Sequence, residues 1–342
     1  MRAVTVCALA ALLFSCHAAA APTATVEAGF EAFKLKHNKK YASAAEEAKR
    51  FKIFAENMHK AAELEKLHPH AKFGANVFAD LSEEEFSTRL DPGAAAASVA
   101  AGAPRVKVAP LVRRPGDSID GVDWRLKHAV TPVHDQGACN VGWAFATADN
   151  IASAWFIAGH TANVTEVSVQ QLVSCTPSTG EGHGCRPATS LSYPFDYIIH
   201  QNHGAIATAA SYPYTSGRTG EVPACNASGK PVGARVDGVE VWTMDDGLRD
   251  MVAKFPVATG VNASGWQLYR GGIFEGQCPA GYNHEDHFAL VVGYSFDSMP
   301  PYWIIKNSWG TDWGEDGYIR ISFGVECDII SLTAMAATVP RA

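Results

Sequence analysis

The sequence predicts an α+β protein in which a helical front segment precedes a body made of a helical lobe and a lobe of antiparallel strands. Three features predict this: an amphipathic helix early in the chain, a Pro-, Gly- and Ala-rich break at residues 92–115, and a long apolar helix followed by short β-rich runs. Helices that come before strands are typical of α+β folds. The 342 residues are 47% hydrophobic and 18% charged, which excludes a disordered chain or a coiled coil.

Residues 1–21 are predicted to be a cleaved secretory signal. Arg2 precedes a short apolar run, Val4 to Ala21, which small residues close before Pro22. No later stretch is apolar for long enough to span a bilayer. We therefore expect a protein of the secretory pathway, in a lysosome- or endosome-like compartment or outside the cell, without a membrane span.

The clearest helix of the front segment is predicted over residues 43–67. Ser43 and Glu46 have the spacing of a capping box, in which each side chain bonds the other residue's backbone N–H. An apolar stripe at helical spacing follows, and an earlier amphipathic piece is expected to pack on it. The stripe and that earlier piece comprise Phe51, Phe54, Met58, Ala61, Phe30 and Phe33.

The break at 92–115 divides residues 22–114, the front segment and its linker, from a body at 115–342. Residues 1–114 hold 16 basic and 12 acidic residues, whereas the rest holds 12 basic and 23 acidic ones. The net charge of −7 argues against nucleic acid as a partner. We expect the opposite charges to attract the two parts, and the attraction to weaken in acid as carboxylates become protonated.

In the body, the sequence predicts one long helix from Gly142 to Ala158, which Gly159 terminates. Its buried side is expected to hold Trp143, Ala148, Ile151, Ala152 and Trp155. Short strands are predicted at Val257–Val261, Phe288–Tyr294, Trp303–Lys306 and Tyr318–Ser322. The join between the helical and strand lobes is expected to form a cleft.

Six cysteines remain after the signal, an even number that implies three disulfides in an exported chain without fixing their connectivity. They are Cys139, Cys175, Cys185, Cys225, Cys278 and Cys327. Three sequons offer candidate glycosylation sites at Asn163, Asn226 and Asn262.

Five segments together resemble a papain-like cysteine peptidase of the cathepsin L branch in its proenzyme form. The active-site segment is residues 135–145, Asp135-Gln136-Gly137-Ala138-Cys139-Asn140-Val141-Gly142-Trp143-Ala144-Phe145. The others are Asp286-His287, Asn307-Ser308-Trp309-Gly310, the propeptide helix pattern Glu46, Arg50, Phe51, Phe54 and Asn57, and the propeptide segment Gly74-Ala75-Asn76-Val77-Phe78-Ala79-Asp80. The resemblance implies a two-lobe papain-like fold preceded by a helical inhibitory propeptide.

The resemblance also implies the roles of site residues. His287 would be the general base and acid, Asn307 its orienting partner, and Gln136 an oxyanion donor. Trp309 would shield the Asn–His pair. The position of the nucleophilic cysteine, immediately before Trp143, is occupied by Gly142.

Glycine has no side chain that could attack a carbonyl, and loss of a triad nucleophile lowers the rate by about 10⁶. Several other positions also depart from the family pattern around the same groove: Asn140, Val141, Val169, Pro187, Ala188 and Phe288. Pro187 and Ala188 would hinder a substrate strand, and Phe288 would narrow the main specificity pocket, whose floor is expected at Leu332. A groove under relaxed or redirected selection explains these departures better than one altered or misread residue.

By the same resemblance, the disulfides are Cys139–Cys185, Cys175–Cys225 and Cys278–Cys327. This pairing leaves Cys139, three residues before Gly142, unavailable as a substitute nucleophile. The segment His284-Glu285-Asp286-His287 has the wrong spacing for a zinc protease helix, and the sequence indicates no metal and no cofactor.

Three functional hypotheses follow. The first is a pseudopeptidase, a monomer whose inter-lobe groove binds peptides, protein inhibitors or its own propeptide. The second is an active endopeptidase with an atypical site. The third is a propeptide that inhibits an active relative in trans.

Overall fold

The computed structural model describes residues 22–90, 121–177, 184–186, 190–242, 247–276, 285–324, 329 and 334–342. Several sequence predictions lie outside the described residues. They are the signal at 1–21, the linker break at 92–115, Pro187, Ala188, Leu332 and the Cys278–Cys327 pair.

Over residues 22–90 the front segment has three helices and one strand, and the described part of the body begins with a strand and a long helix. The helices are α1 (Pro22–Lys36), α2 (Ala44–Leu67), α3 (Glu83–Ser87), α4 (Gly142–Ile157), α5 (Val169–Cys175), α6 (Ser192–Asp196), α7 (Ser216–Thr219) and α8 (Gly247–Val252), with a π-helix at Tyr197–Gln201. The strands are β1 (Ala71–Phe73), β2 (Gly121–Asp123), β3 (Ala205–Ala207), β4 (Val232–Arg235), β5 (Gly238–Trp242), β6 (Val257–Val261), β7 (Tyr269–Phe274), β8 (His287–Ser295), β9 (Tyr302–Lys306), β10 (Tyr318–Ser322) and β11 (Ala334–Thr338).

One large sheet forms the strand lobe, in the order β1-β7-β10-β9-β8-β6-β11-β5, with β2 paired to β8. Its pairs are antiparallel except β7 with β10. The predicted strands at β6 and β10 have the predicted bounds, and those at β8 and β9 extend slightly further. No helix among the described residues is long and apolar enough to cross a membrane.

Helix α2 begins one residue later than predicted, with Ser43 as its N-cap: the Ser43 hydroxyl accepts the Glu46 backbone N–H at 3.1 Å. The predicted capping box is wrong in its second half. The Glu46 carboxylate accepts a hydrogen bond from Arg50 Nε at 2.6 Å, since an ion pair one turn along the helix competes for it. A complete capping box lies instead at Ser82 and Glu85, at the start of α3.

The two long front helices pack through aromatic side chains, as predicted. Phe54 is 1% exposed, and Phe30 and Phe33 on α1 lie with their ring centroids 5.3 Å and 5.1 Å from it. Phe51 and Met58 pack at the margin of the same cluster. The apolar stripe therefore forms the core of the front segment.

Helix α4 is buried along most of its length and lies against strand β8. Strand side chains alternate between faces, so β8 divides its contacts between two clusters. Phe288, Leu290 and Val292 face the cluster that contains α4, whereas Ala289 and Val291 join the cluster shared with the front segment. One strand thus joins the two lobes at the cleft.

The front segment docks on the body by strand pairing and buried amides. Strand β1 pairs with β7 at the edge of the sheet. Asn76 Nδ2 donates to the carbonyls of Gln267 and Tyr269 at 2.8 Å and 3.0 Å. Gln267 Nε2 in turn donates to the carbonyls of Phe78 and Leu81 at 3.2 Å and 2.8 Å. Each buried amide therefore has two partners across the boundary.

Residues 22–90 hold 11 basic and 11 acidic residues, so the basic excess of the front segment lies outside the described residues and the charge attraction stays a prediction. Among the described residues, two histidine–carboxylate contacts join the front segment to the body, His37–Asp312 at 3.6 Å and His70–Glu275 at 2.8 Å, and each is an ion pair only when its histidine is protonated. The lysines and arginines of the front segment mostly pair within it, as in Lys34–Glu47, Lys39–Asp80, Lys49–Glu85, Arg50–Glu85 and Lys60–Glu83. These charges are therefore paired within the front segment and not with the body.

Two disulfides, Cys139–Cys185 and Cys175–Cys225, join the pairs that the resemblance implies. Asn163 and Asn226 are exposed and open to glycosylation. The prediction for Asn262 is wrong for the folded chain. Asn262 is only 5% exposed and its Oδ1 accepts the Ser264 hydroxyl at 2.7 Å, so a glycan there would have to displace packed neighbours.

Candidate active site

Gly142 is the first residue of α4 and lies against the imidazole of His287. A Cβ built on Gly142 would lie 2.5 Å from His287 Cε1 and 2.9 Å from both His287 Nδ1 and the Phe288 carbonyl oxygen. Such distances are too short for packed carbon atoms, so the ring occupies the space that a side chain at 142 would need. Helix N-termini carry a partial positive charge. Here that charge faces the His287 ring, because residue 142 has no side chain of its own.

His287 is fully buried at the start of β8 and pairs with Asn307 after β9. His287 Nε2 lies 2.9 Å from Asn307 Oδ1, which also accepts the Ser308 backbone N–H at 2.7 Å. Because Oδ1 accepts, Nε2 carries the proton and Nδ1 is left as an acceptor. Nδ1 faces Gly142 and has no hydrogen-bond partner within the described part of the chain.

Burial sets the charge of this histidine. Desolvation lowers the pKa of His287 to about 4, and the hydrogen bond to Asn307 opposes this only in part. The imidazole is therefore neutral at neutral pH. A neutral ring can accept a proton at Nδ1, but the first atom that it meets there belongs to Gly142.

Trp309 covers the histidine, as the sequence predicts. Its ring centroid lies 4.9 Å from that of His287, and it is 1% exposed. Phe78 and Phe86 of the front segment meet the same indole edge-on at 5.7 Å and 5.3 Å. Aromatic rings prefer this geometry, so the front segment and the shield of the His–Asn pair form one packed unit.

Gln136 lies beside this pair and is held at both ends of its amide. Its Oε1 accepts the Ser308 hydroxyl at 2.8 Å, and its Nε2 donates to Asn140 Oδ1 at 3.4 Å. Asn140 Nδ2 donates to the carbonyl of Leu90, in the front segment, at 2.7 Å. Sequence reasoning noted Asn140 only as a departure from the family pattern, and that departure was the signal for this contact.

Phe288 is 5% exposed and belongs to the core cluster that also holds Val141, Trp143 and Leu290. Val169, at the start of α5, is similarly buried in that cluster. The Phe288 side chain thus packs in the core near the start of α4, beside Gly142 and the His287 ring.

Sequence reasoning missed a buried charge network on the other side of α4. Lys306 Nζ contacts Asp149 Oδ2 at 2.5 Å and the Thr131 hydroxyl at 2.7 Å. A cavity of about 440 Å³ opens nearby, between Asp149 and the His134–Glu166 ion pair. Charged residues dispersed along the chain give no local motif, which is why only the fold reveals them. Within the described ranges no cluster of His, Cys, Asp or Glu could hold a metal ion.

Comparisons with known proteins identify the family of this chain. The family described as papain family cysteine protease matches residues 119–337, and the cathepsin propeptide inhibitor domain (I29) matches residues 30–86. The chain belongs to the papain family. Within this family, cysteine proteinase B of Leishmania mexicana is 39% identical over 97% of this chain and 75% of its own length. Papain of Carica papaya is 38% identical over 86% of this chain and 81% of its own.

Solved papain-family proenzymes share the fold. The recombinant stem bromelain precursor is 27% identical, with a TM-score of 0.78, over 92% of this chain and 99% of its own. Digestive procathepsin L2 from the larval midgut of Tenebrio molitor is 29% identical, with a TM-score of 0.78, over 92% of this chain and all of its own. The α+β papain-like fold with a helical propeptide is therefore confirmed.

Proposed function

We propose that this papain-family chain is a pseudopeptidase: a proenzyme-like protein whose inter-lobe groove binds a peptide chain but forms no acyl-enzyme. The observation that carries the proposal is the contact of Gly142 with His287. The family's chemistry needs a thiolate at the start of the central helix beside an imidazole. Here the helix start and the imidazole are both present, but the residue at the helix start is Gly142, which has no side chain to supply a thiolate.

The electrostatics support the same conclusion. A catalytic thiolate and its histidine normally stabilise each other as an ion pair, and a nearby anion raises a histidine pKa. Among the described residues, none places an anion beside His287 Nδ1, and burial lowers the pKa of this histidine to about 4. A neutral, buried imidazole without an adjacent acid is a packing residue rather than half of an ion pair.

A substitute nucleophile would have to come from elsewhere. Cys139 is bonded to Cys185, and the other two described cysteines, Cys175 and Cys225, are bonded to each other. Without a nucleophile, an oxyanion donor and ground-state binding supply only about 10³ over water. Gln136 directs one of its two amide N–H groups at Asn140 Oδ1, 3.4 Å away, so its amide is partly engaged in this form.

Disulfides persist in oxidising compartments, so the two bonds also support a protein of the secretory pathway. The propeptide inhibitor domain at residues 30–86 and its buried docking support a proprotein whose groove has an intramolecular partner. Binding, rather than turnover, is therefore the activity that we assign to the groove.

The proposal is tested on the body after the linker has been cut and the front segment has been removed, so that the groove is open. The body is incubated with dipeptidyl fluorogenic substrates and with a thiol-directed epoxide, in reducing and in non-reducing buffer. We expect no covalent adduct by mass spectrometry, and a rate at least about 10⁵ below that of an active relative. Any residual signal should be the same in the matched variant His287→Ala, because it would come from contamination.

Thiol-dependent turnover that His287→Ala abolishes would contradict the proposal, as would an epoxide adduct on the native protein. Either result would favour an active endopeptidase with an atypical site.

A further inference from the structure

The groove in this structure is occupied by the chain's own front segment, and one contact there leads into the candidate active site. Leu90 is 6% exposed and is the last residue described before the linker. Its carbonyl oxygen accepts a hydrogen bond from Asn140 Nδ2 at 2.7 Å, and Asn140 is itself 8% exposed. A backbone group of the front segment is therefore held by a buried side chain of the segment that leads into Gly142.

The second end of the Asn140 amide reaches into the candidate active site. Asn140 Oδ1 accepts from Gln136 Nε2, and the Gln136 Oε1 accepts from Ser308. The three side chains form a continuous chain of hydrogen bonds from Leu90 to the residue that follows Asn307. Through this chain, the front segment is connected to the amide that an incoming carbonyl would use, since one of its two N–H groups is bonded to Asn140.

We propose that Asn140 is a latch that binds the front segment in the groove, and that residues 22–90 remain on the body as a non-covalent subunit after the linker is cut. The inference deepens the proposed function, since it names the ligand that the groove retains. It rests on the proposed function in one respect: a groove that cleaves no substrate does not have to release the front segment.

Two further observations favour retention. The front segment and the strand lobe share one hydrophobic cluster, in which Phe78 and Phe86 pack on Trp309. Departure of the front segment would expose this aromatic surface and break the β1–β7 pairing. It would also leave the buried amides of Asn140 and Gln267 without their partners on the front segment.

The experiment uses the full chain with a site for a sequence-specific protease placed between residues 93 and 112. After complete cleavage at pH 7, the sample is diluted to about 10 nM and analysed by size-exclusion chromatography, with a dye on the front segment to follow dissociation. We expect the wild-type pieces to elute together. Asn140→Ala should dissociate about 10-fold faster, because the Leu90 carbonyl loses its donor while it stays buried. The matched control Asn163→Ala, an exposed asparagine on the body, should dissociate like the wild type.

A second variant, Asn140→Asp, retains the shape of the side chain and removes the N–H donor. At pH 7 its carboxylate should repel the Leu90 carbonyl and speed dissociation by at least 10-fold relative to wild type at the same pH. Near pH 4, a protonated carboxyl can donate again, so the difference from wild type should shrink. A residue that only fills space would not show this pH-dependent rescue.

Separation of the cut wild-type pieces at about 10 nM and pH 7 would overturn the retention of the front segment. This concentration is well below that of a purified sample, so only a tight complex stays together. Equal dissociation rates for wild type and both Asn140 variants would overturn the latch. The epoxide experiment separates this inference from the proposed function: if the pieces stay together but the body freed of the front segment is labelled, only the pseudopeptidase is refuted, and if they separate and the body is not labelled, only the retention is refuted.

Discussion

The docking interface and the candidate active site lie side by side under Trp309, and they differ in how their buried side-chain amides are bonded. At the interface, Asn76 and Gln267 each donate to two carbonyls across the boundary. At the active site, His287 Nδ1 and Asn307 Nδ2 are buried without a hydrogen-bond partner in the described part of the chain. Buried polar groups in proteins are normally bonded, and the exceptions mark sites built for something else.

The difference shows which part of a proenzyme is maintained by folding alone. The interface stabilises the folded chain, so every amide in it is kept bonded. The His–Asn pair has the geometry of an active centre, but the atom that Nδ1 would have faced is absent. We interpret the pair as an inherited arrangement that packing under Trp309 preserves. Three changes would break or sharpen this comparison.

The largest effect is expected at the interface, from Asn76→Ala. The substitution leaves the carbonyls of Gln267 and Tyr269 buried without donors and also removes the acceptor of the Phe78 N–H. Each unsatisfied group costs about 1–3 kcal/mol, so we expect a loss of about 3 kcal/mol in the free energy of unfolding. Urea denaturation measures it, with Asn163→Ala as the control that should change by less than about 0.5 kcal/mol. A loss as small as the control's would show that the interface amides do not stabilise the fold.

The next effect concerns pH and connects the two regions. Burial lowers the pKa of His37 and His68 in the front segment, and that of His287 to about 4. Their neutral forms are favoured by folding, so they contribute stability above the ordinary histidine pKa of about 6.5. This contribution is lost as the pH falls from there toward 4. We expect a loss of about 2 kcal/mol between pH 7 and pH 5.

Urea denaturation at the two pH values measures this loss, and ¹⁵N NMR of the imidazole assigns it. The His287 signals should stay those of the neutral Nε2–H form down to about pH 4. A His287 that is already charged at pH 7 would indicate an anion beside it, and would contradict the interpretation of the pair as a packing residue and its partner.

The smallest effect compares the same substitution in both regions. Glycine to alanine within a helix normally stabilises a protein by up to about 1 kcal/mol. Gly29→Ala in α1 should do so, because its Cβ would meet Phe54 atoms no closer than 3.8 Å. Gly142→Ala should instead destabilise by about 1 kcal/mol, because its Cβ would meet His287 and the Phe288 carbonyl within 2.9 Å. Thermal denaturation measures whether each variant is more or less stable than the wild type. A stabilising Gly142→Ala would mean that space for a side chain remains at this position.

Much of the fold could be predicted from the chain itself, and the reason is local. The stripe through Phe54 and the Ser43 cap determine α2, and short runs rich in β-branched and apolar residues determine β6 and β10. The second half of the predicted capping box, in which the Glu46 carboxylate would accept the Ser43 backbone N–H, is not formed. The Arg50 side chain, one turn away, binds that carboxylate instead. Local patterns define where an element begins and ends, but they do not decide which of two nearby partners a side chain chooses.

The site shows the same limit at longer range. The sequence by itself determined the identities that matter: Gly142 in place of a side chain, His287 and Asn307 at matched positions, and a propeptide before the body. Only the tertiary structure decided that the imidazole closes over Gly142, that Asn140 connects Leu90 to Gln136, and that Asn262 is buried. These contacts join residues far apart in the chain. They depend on distances of a few tenths of an ångström that packing of the whole fold sets, and no local pattern of residues encodes such distances.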